Sequence, residues 1–230
     1  MPPISAICFD LDNTLWDVWP VIVRAEQEMY AFVSERFPRL AARYSIDALR
    51  AERERVAASE PHMQHDFTYL RKASLRHCAQ TVGHDTAIAE EIFAVFFRAR
   101  NNVTLYKDAA QALPELHVRY RLFSLTNGNA DLSVIGLEHF FEHRFAARDV
   151  GALKPDPQAF RHVLDKTQLD PHQVLFVGDD PVADVQGARN SGMQCVWMNR
   201  TGAAWVSDLG PPPKSIARLT ELLPLLQLPA

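Results

Sequence analysis

Apolar and polar positions fall into blocks along the chain, and the blocks change character twice. Residues 4–9 form a nearly continuous apolar run that stops at acids. This is the pattern of a strand buried on both faces of a parallel sheet. From about Val18 to Arg100 the texture becomes helical, rich in Ala, Glu, Arg and apolar residues, with Gly83 its one glycine. Val21, Ala25 and Met29 recur at a spacing of four, with charges between them, which predicts an amphipathic helix. Positions 46–58, 67–82 and 86–100 predict three more helices, and Pro38 and Pro61 predict breaks. Beyond Asn101-Asn102 the pattern alternates. Positions 120–125, 144–147, 174–177 and 194–198 predict strands, and 131–141, 158–167, 181–190 and 216–226 predict helices. Such alternation implies βαβ units and a parallel sheet. The expected architecture is an α/β core with a Rossmann-like parallel sheet, residues 1–15 and 102–230, carrying an all-helical insert at 16–101.

Composition narrows the function. The chain has 230 residues, 47% of them hydrophobic, with 13 Phe and 4 Trp, which suffices for a large core and excludes global disorder. A net charge of -4 argues against a general nucleic-acid binder. No apolar stretch approaches the ~20 residues that span a bilayer, and the start lacks a basic leader region. Cys8, Cys78 and Cys195 lie far apart without a CxxC pair, which fits a reducing compartment. A cytoplasmic protein with a small-molecule partner, and neither nucleic acid nor membrane, is expected.

The chemistry sits where predicted strands end. Asp10-Leu11-Asp12-Asn13-Thr14, Thr126-Asn127-Gly128-Asn129 and Gly178-Asp179-Asp180 each follow a strand of the predicted core. In open parallel sheets sites form outside the carboxyl ends of the strands, so the three clusters are expected on one edge. Asp10 and Asp12 are two apart, a spacing that sends both side chains the same way in extended chain. Asp179, Asp180 and Asp184 add carboxylates that would repel each other and be pushed toward protonation. Hard oxygen ligands without a His or Cys cluster favour Mg²⁺ over Zn²⁺. Lys154, in a predicted loop before Pro155, can supply a further positive charge. A cation-loaded, acid-lined edge suits phosphoryl transfer, in which a carboxylate attacks phosphorus.

These residues resemble the motifs of the haloacid dehalogenase superfamily of phosphohydrolases. Phe9-Asp10-Leu11-Asp12-Asn13-Thr14-Leu15 is similar to its first motif and Leu125-Thr126-Asn127-Gly128 to its second. Lys154-Pro155 is similar to the third, and Gly178-Asp179-Asp180 through Asp184 to the fourth, all in the family's order. The helical insert resembles the cap that covers the site in one large subgroup. Thr126-Asn127-Gly128-Asn129-Ala130, Val177-Gly178-Asp179-Asp180 and the stretch from His65-Asp66 through Arg71 further resemble bacterial flavin mononucleotide phosphatases, which also act on the phosphorylated uracil intermediate of riboflavin synthesis.

The resemblance implies roles. Asp10 would be the nucleophile that forms an aspartyl-phosphate, and Asp12 the acid that protonates the leaving oxygen and then deprotonates water. Thr126 and Asn127 would bind phosphoryl oxygens. Lys154 would orient Asp10 and stabilise transition-state charge. Asp10, the backbone carbonyl of Asp12, and Asp179 would hold Mg²⁺, with Asp180 and Asp184 binding through water or bracing the others. His65 and Arg71 would contact the substrate from the cap, although surface or internal ion-pair roles fit them equally. The expected function is a Mg²⁺-dependent phosphomonoesterase for flavin mononucleotide or a riboflavin-pathway phosphate. A sugar phosphomutase on the same scaffold is the alternative. A receiver-type signalling module phosphorylated on Asp is disfavoured, because Lys154-Pro155 precedes Asp179-Asp180 and a helical insert intervenes. Dehalogenation is disfavoured because the family's dehalogenases lack the aspartate that stands here as Asp12. Trp16 and Trp19 are expected to pack in the core or at the hinge.

Overall fold

A computed structural model describes residues 4–227. Strand β1 (Ala6–Phe9) is followed by the helices α1 (Val18–Arg36), α2 (Pro38–Arg43), α3 (Ile46–Ser59), α4 (Phe67–Thr81) and α5 (Ile88–Arg100). Then come α6 (Lys107–Arg119), β2 (Arg121–Thr126), α7 (Leu132–Ile135), β3 (His143–Ala146), α8 (Ala147–Val150) and α9 (Pro157–Thr167). The chain ends with β4 (Val174–Gly178), α10 (Gly187–Asn190), β5 (Gln194–Met198), β6 (Lys214–Ile216) and α11 (Leu222–Gln227). Two compact units result. Among the described residues, one takes in 4–17, Thr104–Gly128 and 136–227; the other is Val18–Val103 with Asn129–Ile135.

The first unit holds a six-stranded sheet in the order β3-β2-β1-β4-β5-β6, all parallel. This is the doubly wound α/β order, and β1 lies between β2 and β4 where the winding reverses. β1 and β4 are buried along their whole length, which is why they read as unbroken apolar runs. Phe123, Leu125, Phe145 and Phe176 from the strands pack with Ala159, Phe160 and Val163 of α9.

The second unit is helical. Ala25, Met29 and Val33 of α1 form one core with Leu40, Leu49, Leu75, Cys78, Ile92 and Phe96. Ser45 caps α3 and Asp66 caps α4 through their side chains. Pro38 stands at the start of α2, where its missing N–H costs nothing. Asn129–Ile135, placed in the α/β core by the sequence pattern, clusters with this unit.

Several elements differ from expectation. The helix expected over 131–141 is broken into α7 and a 3-10 turn at Glu138–Phe140, because Gly136 turns into the left-handed region at φ 87. Helix α6 lacks a clear sequence signal because it carries Pro114 in its interior. The helix expected over 181–190 begins as a π-helical turn, Pro181–Gln186, before α10. The terminal helix expected from 216 starts only at Leu222. Ahead of it lies β6, an edge strand too short and too polar to show a period of two. Trp16 is buried as expected, whereas Trp19 is 66% exposed.

Candidate active site

Site residues cluster at the carboxyl ends of β1 and β4. Asp10 follows β1 directly, its N–H donating to the Val177 carbonyl of β4 at 2.9 Å. The Lys154 ammonium donates to Asp10 Oδ1 at 2.6 Å and to Asp184 Oδ1 at 2.7 Å. All three side chains are buried. Asp10, Asp179 and Asp184 each offer an oxygen within 4.8 Å of the others.

Local geometry explains how each group gets there. The Asn127 side chain clamps the Lys154 backbone, its Nδ2 donating to the carbonyl at 3.0 Å and its Oδ1 accepting from the N–H at 2.7 Å. The Asn127 side chain thus positions the lysine, with its second amide N–H left to donate elsewhere. Thr126 ends β2, and its hydroxyl accepts from the Gly128 N–H at 3.0 Å, a bond that leaves the hydroxyl hydrogen to donate elsewhere. Asp184 Oδ2 accepts from the Asp180 N–H at 2.9 Å. Asp180 itself stands outside the acid cluster and is exposed. Its Oδ1 accepts from the N–H groups of Val182 and Ala183, both at 2.7 Å, so it caps the following turn.

Gly178 makes the approach of Asp184 possible. A Cβ there would stand 2.3 Å from Asp184 Cγ and Oδ2. Gly178→Ala should therefore push Asp184 off Lys154, costing roughly 1–3 kcal/mol of stability and most of the activity. Thermal denaturation and a turnover assay check both; an unchanged melting temperature with full activity would contradict the packing described.

Electrostatics follow from burial. Desolvation raises the Asp10 pKa well above the usual carboxylate range; Lys154 opposes this, and Asp184 and Asp179 add to it. Burial and then Asp184 push Asp179 up to about 7. Burial alone would lower the Lys154 pKa, but Asp10 and Asp184 raise it above lysine's ordinary value. Ionised together, the three carboxylates would carry two negative charges more than the one ammonium balances. The donors are all carboxylate oxygens, so a hard divalent cation fits the site in both charge and ligand chemistry.

Two indoles and one guanidinium also support the site, none of them visible as a motif. Trp16 Nε1 donates to Asp12 Oδ1 at 2.8 Å, and Trp197 Nε1 donates to the Asp179 carbonyl at 2.8 Å. Arg200 donates to the Thr14 carbonyl through Nη2 at 2.8 Å and pairs with Asp108. His65 and Arg71 belong to the helical unit. His65 is half-buried in the turn before α4. The Arg71 guanidinium is buried 3.6 Å over the Phe96 ring and 3.4 Å from Glu26. Burial, with Arg53 nearby, lowers its pKa to about 9. Arg71 thus takes part in an internal ion pair and a stacked ring, the other role its sequence position allowed.

Residues 4–192 match the model of the haloacid dehalogenase-like hydrolases. The chain belongs to this family. Over 97% of its length it is 33% identical to 5-amino-6-(5-phospho-D-ribitylamino)uracil phosphatase YigB of Escherichia coli K12, covering 96% of that protein. It is 26% identical to rat N-acylneuraminate-9-phosphatase over 97% of this chain and 94% of that one. Among solved structures, a 2-haloacid dehalogenase from Pseudomonas syringae pv. Tomato DC3000 superposes with a TM-score of 0.91 at 34% identity, covering 97% of this chain and 98% of that one. The chain is an enzyme, a phosphatase of the haloacid dehalogenase-like family. No helix among the described residues is long and apolar enough to cross a membrane.

Proposed function

We propose that the protein is a cytoplasmic, Mg²⁺-dependent phosphomonoesterase that works through an aspartyl-phosphate on Asp10. Flavin mononucleotide or a phosphorylated riboflavin precursor is the proposed substrate. The observation that carries this is the buried Asp10 carboxylate held at 2.6 Å by Lys154, within the same cluster as Asp179 and Asp184.

Asp10 attacks phosphorus, and the bond from phosphorus to the ester oxygen breaks. Asp12 gives its proton to that oxygen. Asp12 then takes a proton from water, whose oxygen attacks the same phosphorus, releasing phosphate and restoring Asp10. Lys154 fixes the Asp10 carboxylate and sets a positive charge beside the phosphoryl oxygens, and the Thr126 hydroxyl donates to one of them. Mg²⁺ would be held by Asp10, Asp179 and the Asp12 carbonyl, with Asp184 bracing them, and would offset phosphate charge. The helical unit, Val18–Val103, would act as the cap that selects among phosphate monoesters. Similarity to the Escherichia coli uracil-intermediate phosphatase supports the substrate class.

The likeness to a 2-haloacid dehalogenase favours a second reading, displacement of halide from carbon by Asp10. Asp12, absent from the family's dehalogenases, argues against it. One panel separates the two: flavin mononucleotide, the ribitylamino-uracil phosphate, sugar phosphates and a 2-haloacid, with Mg²⁺ or with EDTA. Phosphate release that needs Mg²⁺, fastest on the flavin or uracil compounds, is expected. Halide release without phosphate release would overturn the proposal, and full activity in EDTA would remove the metal from it.

A further inference from the structure

We propose that Trp16 is a positioning residue for Asp12, the acid and base of the reaction proposed above, on which this inference rests. The Trp16 side chain is fully buried, and its Nε1 donates to Asp12 Oδ1 at 2.8 Å. The backbone brings the two together. Asn13 adopts φ 59, a left-handed conformation that Asn tolerates better than most residues. The Asn13 N–H then donates to the Trp16 carbonyl at 2.7 Å, and the Leu15 N–H to the Leu11 carbonyl at 2.8 Å. Residues 11–16 thus close on themselves and return the indole to the aspartate that began the turn.

The loop is also anchored from outside. The Tyr106 N–H donates to the Leu15 carbonyl at 2.9 Å, and Arg200 holds the Thr14 carbonyl. The indole is therefore a fixed donor on a pinned frame. A buried indole N–H needs an acceptor, and a backbone carbonyl is enough to satisfy it, as the Asp179 carbonyl does for Trp197. Trp16 instead takes an oxygen of Asp12, and the bond is charge-assisted, stronger and more directional when Asp12 is ionised, the form that takes the proton from water. It fixes the rotation of the Asp12 carboxylate about Cβ–Cγ. An acid that must deliver a proton to one oxygen and then take one from water gains rate from fixed orientation, since a small misplacement costs heavily.

The test separates orientation from folding by varying the leaving group. Trp16→Phe keeps an aromatic ring in the space and removes the donor. It should lower kcat about tenfold on an alkyl phosphate such as flavin mononucleotide and much less on p-nitrophenyl phosphate, whose leaving group needs little protonation. KM and the Mg²⁺ concentration for half-activation should stay unchanged. In an Asp12→Ala background the same substitution should add less than about twofold, because its partner is gone. Equal losses on both leaving groups, or a Trp16→Phe effect that persists in full without Asp12, would overturn the proposal and leave Trp16 a packing residue. Should Trp16→Phe fail to fold, a benzothienylalanine placed at position 16 keeps the indole's shape with sulfur in place of N–H, and the same outcomes apply. Failure of the underlying reading looks different: the Asp12→Ala defect itself would then be independent of the leaving group.

Discussion

Asp10→Asn should lower turnover by about four orders of magnitude or more while leaving the metal-free protein at least as stable as the parent. The amide is nearly isosteric but has no electron pair able to attack phosphorus, and losing a nucleophile that forms a covalent intermediate costs on this scale. The stability expectation comes from charge. Fully ionised, Asp10, Asp179 and Asp184 would carry two negative charges more than Lys154 balances. Burial already drives the Asp10 carboxyl toward its neutral form. An uncharged side chain in that place relieves repulsion, and the amide oxygen can still accept from Lys154. A phosphate-release assay and thermal denaturation in EDTA read the two effects. Activity within tenfold of the parent would refute Asp10 as nucleophile; a sharp fall in melting temperature would refute the charge argument.

Lys154→Met should act in the opposite direction on stability. The ammonium is buried and bridges Asp10 and Asp184 at 2.6 and 2.7 Å. Removing one partner of a buried ion pair leaves uncompensated charge and costs roughly 3–5 kcal/mol. Turnover should fall by about a thousandfold or more, since Asp10 loses its orienting group and the transition state a positive charge. The pH dependence has a definite sign. Lys154 is what holds the Asp10 pKa down against burial, so its loss raises that pKa further. A carboxyl whose pKa is higher folded than unfolded binds protons on folding, and stability then declines as pH rises above the unfolded value. The loss caused by Lys154→Met should therefore be larger at pH 8 than at pH 5. A loss that does not change with pH would mean that Asp10 and Asp184 are not the groups left exposed to each other.

The elements that carry chemistry were legible because their patterns are strong. β1 and β4 are buried on both faces, and a fully apolar run ending in acids follows directly from that. The meeting of Asp10, Lys154 and Asp179 follows from the parallel-sheet rule, since each stands just after a strand or in a loop at that edge, and Asp184 joins them from the helical turn that follows β4. Roles that depend on hydrogen-bond direction were not legible. Asn127 lies beside Thr126 in sequence, yet its amide turns to the Lys154 backbone. Asp180 lies beside Asp179, yet the proline after it starts a helical turn whose N–H groups take its carboxylate. Arg71 carries a charge that composition alone would place outward. Only the packing of α4 against Phe96 and the buried Glu26 shows why it turns inward. Trp16 and Trp197 support their aspartates by single bonds across turns and strands, a signal that no spacing rule contains.

The most direct test of the account is to trap the covalent intermediate. With Asp12→Ala, hydrolysis of an aspartyl-phosphate slows, and an activated substrate such as p-nitrophenyl phosphate still allows the first step. Rapid acid quench in Mg²⁺ followed by peptide mass spectrometry should find one phosphoryl group on the peptide containing Asp10. The adduct should be absent after EDTA treatment and in the Asp10→Asn, Asp12→Ala double variant. Phosphate release that proceeds with the Asp10 peptide unmodified throughout, or a phosphoryl group carried by a different residue, would contradict it.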